Sequence, residues 1–172
     1  MRHAIVRALG LAGILGWLCV MSLAHAQHLA SRWPASVATP TASFTDLTGQ
    51  RWTPEQLKGK TVLINFWATW CAPCLEELPS LQTFFEFSQS ADVVVLAVNV
   101  KEPLGRVRQF VARNQFGFPV IADRDGELIR QWGVKVFPTT VVLSPQGVAT
   151  WVIVGQVDWT SQVVQGWMGS VR

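Results

Sequence analysis

Residues 61–74 read TVLINFWATWCAPC, and the change of character along them decides the fold. The first eight form an apolar run bounded by Gly59 on one side and the cysteines on the other, a length and setting that predict a buried central strand. From 74 to 88 the pattern turns helical, with Leu75, Leu78, Leu81, Phe84 and Phe85 at spacings of three and four. Pro79 falls inside this helix and is expected to kink it. The cysteines therefore occupy a strand-to-helix turn, where the first backbone N–H groups of the helix have no internal partner. A thiolate placed there gains from those donors and from the helix dipole, so Cys71 is expected to have a lowered pKa and to act as nucleophile. Cys74 lies one turn further in, spaced to attack the resulting mixed disulfide. Pro73 between them removes a donor and stiffens the turn. So short a loop restricts the unfolded chain too little to staple a fold. The pair reads as reactive.

The pattern extends outward in both directions. Residues 43–46 and 51–53 look like two short strands about the turn 47–50. Residues 92–100 (DVVVLAVNV) form a second buried strand. Leu104, Val107, Phe110 and Val111 mark an amphipathic helix over 103–114, with Pro103 in its first turn. A short strand over 118–122, a turn over 123–126 and a helical turn over 128–132 follow. Residues 139–144 and 148–154 read as a hairpin. Asp158 is placed to cap a last helix carrying Val163, Val164, Trp167 and Met168. This order predicts an α/β sandwich with a mixed sheet.

The chain has 172 residues, of which 49% are hydrophobic and 15% charged, enough for one domain with a sizeable core. Residues 1–26 read as an export leader: Arg2 and Arg7, then an uncharged, largely apolar stretch over 8–23, then Ala24-His25-Ala26 as a cleavage site. They form either a cleaved signal or a retained membrane anchor, and both place the remainder in an oxidising compartment outside the cytoplasm. Residues 27–42, rich in Ala, Ser, Thr and Pro, are expected to be a linker, and 43–172 the folded domain. The net charge of +3 owes two charges to the leader's arginines, and no basic stripe remains, which excludes nucleic acid as a partner. Cys19 lies in the leader as an apolar residue, so Cys71 and Cys74 are the thiols of the mature protein. His3, His25 and His28 are all N-terminal, which leaves no histidine for a Cys–His pair of the protease type.

FWATWCAPC (66–74), Glu77 three residues after the second cysteine, Pro79, and VFPTT (136–140) together resemble the thioredoxin superfamily. Within it, the chain is most similar to the exported, often membrane-tethered proteins of the TlpA, ResA and cytochrome-c-maturation type. Phe118-Pro119-Val120 followed by Asp123-Arg124-Asp125-Gly126 extends the likeness, which covers roughly 44–167. It implies a thioredoxin-like three-layer α/β sandwich with a mixed central β-sheet and an N-terminal β-hairpin extension. It also implies a cis peptide bond at Pro138, facing the disulfide, so that an extended substrate can pair with the backbone of Phe137. In the resembling family an acidic residue at the place of Glu77 lies near the cysteines and helps move protons. General thioredoxins carry a buried aspartate where this chain has Asn65, which makes Glu77 the substitute acceptor. Gly155 resembles the family's glycine loop near the active site. Trp70 is expected to flank the reactive thiol as an apolar platform for substrate, and Trp67 to belong to the core.

The expected function is an exported protein disulfide oxidoreductase. It would carry no cofactor beyond the Cys71–Cys74 disulfide and no metal. Electrons would pass from a membrane thiol donor to disulfides of exported proteins, with apocytochrome c as the implied substrate class; a monomer is expected. Two alternatives use the same sulfurs. One is an oxidant that donates disulfides, since direction depends on reduction potential and partner. The other is a Cu(I)-binding or delivery module, since soft thiolates suit that ion.

Overall fold

The computed structural model describes residues 29–88 and 92–171; the leader over 1–26 lies outside the described residues. The elements run β1 (Leu29–Arg32), β2 (Phe44–Thr45), β3 (Arg51–Trp52), α1 (Pro54–Leu57), β4 (Thr61–Trp67), α2 (Ala72–Ser88) and β5 (Val93–Val100). They continue with α3 (Leu104–Asn114), β6 (Val120–Asp123), α4 (Glu127–Gln131), β7 (Thr139–Leu143), β8 (Ala149–Val154) and α5 (Gln162–Gly169). Six strands form one mixed sheet in the order β1-β8-β7-β4-β5-β6. β4, β5 and β6 are parallel, whereas β7 runs antiparallel to β4, and β8 and β1 continue antiparallel. β2 and β3 make the separate hairpin.

Every residue of β4 is buried, because the strand has neighbours on both sides and layers on both faces. Its side chains alternate accordingly. Leu63 and Trp67 join the core under α2, α3 and α5, with Leu78, Leu81, Val107 and Val164. Val62, Ile64 and Phe66 join the opposite core, with Phe44, Leu57, Val98 and Trp132. Asn65 shares the face of Leu63 and Trp67, so it is aimed at α2.

Three local expectations are corrected, and one short helix is added. Residues 29–32, read as linker, form β1 on the edge of the sheet, with Leu29 opposite Val154 and Arg32 opposite Trp151. The strand was hidden because its burial follows no two-residue alternation; it is held by backbone pairing and by the Arg32 guanidinium 4.2 Å from the Trp151 ring centroid. The rest of the stretch is also anchored, through Trp33 edge-on to Trp132 at 6.1 Å and Thr39 Oγ1 accepting from the Ala149 N–H. α1 was not foreseen, although Thr53-Pro54-Glu55-Gln56 is a capping box with proline in the first turn. α2 starts at Ala72 rather than at Cys74, since proline at its second position needs no donor. Finally, Ser161 and not Asp158 precedes α5; Asp158 instead accepts from the N–H and hydroxyl of Thr160, making a turn before the helix. Among the described residues no helix is long and apolar enough to cross a membrane.

Candidate active site

β4 ends at Trp67 and α2 starts at Ala72, so the chain must reverse within residues 68–71. The Cys71 N–H donates to the Ala68 carbonyl at 3.2 Å, and the Leu75 N–H to the Cys71 carbonyl at 3.1 Å, which places Cys71 at the mouth of the helix. Cys71 and Cys74 are joined in a disulfide. The Cys74 N–H points at Cys71 Sγ, 3.3 Å away; this is one of the free donors of the first helical turn. Cys71 keeps 6% of its surface exposed and Cys74 only 1%, so access from solvent is one-sided.

The surroundings come from three elements. Trp70, 63% exposed, stands edge-on to Phe137 with ring centroids 5.9 Å apart. Phe137–Pro138 is a cis peptide bond, as the resemblance implies, and Pro138 itself is buried. The next residue, Thr139, pairs with Phe66 of β4, so the 136–138 segment lies beside the end of the strand that leads to the cysteines. Gly155, at φ +95°, donates its N–H to the Pro138 carbonyl at 2.9 Å. Pro73 is exposed on the first turn of α2. Trp67 is fully buried, packed on Phe110 at 5.4 Å, and belongs to the core.

Glu77 lies one turn beyond Cys74 on α2, and both are buried. Its Oε1 accepts from Asn65 Nδ2 at 2.6 Å and its Oε2 from the Val157 N–H at 2.9 Å. Asn65 Nδ2 also donates to Thr140 Oγ1 at 2.9 Å, while Asn65 Oδ1 has no partner. Burial pushes the Glu77 carboxyl up to about 7; the bonds from Val157 and Asn65 hold it from rising further. The Trp159 indole pulls in the same direction, although its Nε1 reaches no partner at hydrogen-bonding geometry. Asn65 stands where general thioredoxins carry an aspartate. Here it links Glu77 to β7.

Two further groups escaped the sequence reading. Glu102, 5% exposed, accepts from the Thr69 N–H at 2.7 Å, from the Thr69 hydroxyl, and from Asn99 Nδ2 at 2.7 Å. Asn99 sits opposite Trp67 in the β4–β5 register. The signal was faint: a glutamate just before the proline that opens a helix normally reads as a solvated charge favoured by the helix dipole.

Residues 36–152 match the AhpC/TSA family. The chain is 35% identical over 116 residues to the thiol-disulfide oxidoreductase ResA of Geobacillus thermodenitrificans, covering 67% of each protein. It is 32% identical over 133 residues to ResA of Bacillus subtilis, covering 77% of this chain and 73% of that one. Among solved structures, a secreted thiol-disulfide isomerase from Corynebacterium glutamicum superposes with a TM-score of 0.68 at 27% identity, over 80% of this chain and 87% of that one.

Proposed function

Since this chain belongs to the AhpC/TSA family of the thioredoxin superfamily and is a thiol–disulfide oxidoreductase, we propose that it works outside the cytoplasm as a reductant of disulfides in exported proteins, apocytochrome c among them. The observation that carries this reading is the Cys71–Cys74 disulfide at the mouth of α2, with the Cys74 N–H directed at Cys71 Sγ. In the reduced protein the same donor supports a thiolate on Cys71. That thiolate attacks a substrate disulfide; a Cys71–substrate disulfide forms and one substrate thiolate leaves. Cys74 then attacks Cys71 Sγ, the Cys71–Cys74 bond forms, and the second substrate thiolate leaves. Two electrons have passed to the substrate, and a membrane thiol donor restores the dithiol. No cofactor is needed beyond this pair.

Glu77, one turn beyond Cys74 on α2 and buried like it, is the proton acceptor for the Cys74 thiol. Trp70, Pro73 and Phe137 offer the surface on which an extended substrate lies, its backbone pairing beside Phe137. Export is supported by the leader-like residues 1–26 and by the secreted nature of the Corynebacterium glutamicum neighbour.

The test uses the reduced protein and an oxidised peptide containing C-x-x-C-H, the haem-attachment pattern of c-type cytochromes. The proposal expects this peptide to be reduced faster than an unrelated disulfide peptide of similar length. Equal rates remove the cytochrome assignment. Equilibration with glutathione fixes direction: a reductant keeps its disulfide in a glutathione buffer that would reduce an oxidant's.

A further inference from the structure

We propose that Glu102 is a positioning residue for thiol–disulfide exchange: its buried carboxylate latches the turn before Cys71 and so sets how Trp70, the residue next to Cys71, stands against Phe137. The inference rests on the exchange reaction proposed above and adds a residue that makes no contact with the sulfurs.

Glu102 sits between the end of β5 and the start of α3, and the backbone on both sides of it is fixed. Lys101 adopts the left-handed conformation at φ 55°, its N–H donating to the Asp123 carbonyl at 2.9 Å. Pro103 leads into α3 at φ −59°. The side chain is thereby aimed across to the β4 turn, where it takes both the N–H and the hydroxyl of Thr69. Among the described residues no lysine or arginine forms an ion pair with it. A buried carboxylate without a cation persists only where donors satisfy it, and Thr69 supplies two of its three.

Trp70 follows Thr69 directly. The chain is therefore pinned at 69 by Glu102 and at 71 by the bond to Ala68 and the disulfide, with Trp70 projecting between the two pins. The indole is a long lever on a short segment. A small slip at Thr69 moves the ring away from Phe137 and from the approach to Cys71 Sγ. Losses of this kind fall on substrates that need the platform, because exchange depends on in-line access to one sulfur.

Glutamine can replace the carboxylate without breaking the latch. Its carbonyl oxygen takes the Thr69 and Asn99 N–H groups, and its amide donates to Thr69 Oγ1. Alanine removes every bond.

The experiment measures the rate at which the reduced full chain reduces insulin, for wild type, Glu102→Ala and Glu102→Gln, each alone and combined with Trp70→Ala. Glu102→Ala is expected to be about tenfold slower, and Glu102→Gln to stay within about twofold of wild type. In the Trp70→Ala background the alanine change should cost less than about twofold more, because its effect passes through that ring. Equal losses with and without Trp70 overturn the proposal, as does a Glu102→Ala protein at full rate or a Glu102→Gln protein as slow as alanine. Should Glu102→Ala not fold, Thr69→Val removes the hydroxyl bond alone, and the same coupling to Trp70 is required of it. Wild-type protein that reduces no insulin defeats the exchange reading and the latch together; active wild type with additive losses defeats the latch alone.

Discussion

Cys71→Ser is expected to lose disulfide exchange down to the uncatalysed level, while Cys74→Ser still attacks but stops halfway, covalently joined to its target. The asymmetry follows from position. Cys71 holds the exposed share of the pair, 6% against 1%, and its sulfur faces the Cys74 N–H at the helix mouth. A serine there offers a hydroxyl that is scarcely ionised near neutrality and forms no disulfide with its target. Cys74 can reach only the sulfur in front of it, so without it the mixed disulfide has no internal thiol to release it. Electrophoresis under non-reducing conditions reads both outcomes: one adduct per chain for Cys74→Ser, reversed by dithiothreitol, and none for Cys71→Ser. A Cys71→Ser protein that turns over normally contradicts the assignment of roles. Neither change should unfold the chain, because so short a loop contributes little to stability.

Glu77→Gln is expected to change two pH profiles at once. The carboxyl is raised by burial from 4.5 to about 7, so the folded protein holds this proton more tightly than the unfolded chain does. The associated stabilisation is full below pH 4.5, declines as the pH rises, and is gone above about 7; its size is roughly 3 kcal/mol. Wild type should therefore lose about that much between pH 4.5 and 8 in urea unfolding, and the glutamine protein should lose little of it. The amide fits the site, since its oxygen accepts from the Val157 N–H and its NH2 meets Asn65 Oδ1, now unpartnered, once that side chain turns over. Exchange responds through the second step. A base titrating near 7 and one turn from Cys74 should give the rate of release from the mixed disulfide an inflection near that pH. Glu77→Gln should remove the inflection and slow release by about a hundredfold above it. Unchanged profiles in the variant exclude Glu77 as the acceptor.

The parts of the fold legible in the sequence are those where one strand or helix carries its own pattern. β4 and α2 could be read from 61–88 because a strand buried on both faces is apolar throughout and a helix against it repeats every three or four residues. The cis bond at Pro138 followed from VFPTT through resemblance, not from any local preference. The edge strand β1 could not be read, since its residues Leu29, Ala30, Ser31 and Arg32 owe their conformation to a partner more than a hundred residues away. The same holds within the site. Cys71 and Cys74 announce themselves by spacing, and Glu77 through the family resemblance. Asn65 with Thr140, and Glu102 with Thr69, are linked only when β4 lies between β7 and β5. Hydrogen bonds across neighbouring strands leave no period in the chain.

Pulsed alkylation of the reduced full-length protein, with each modified cysteine located by peptide mapping, decides whether Cys71 is the exposed, reactive member of the pair. Cys71 should be labelled well before Cys74 in the folded protein, and both should be protected in the oxidised form. Labelling of Cys74 first, or a folded reduced protein in which neither sulfur reacts, contradicts the account.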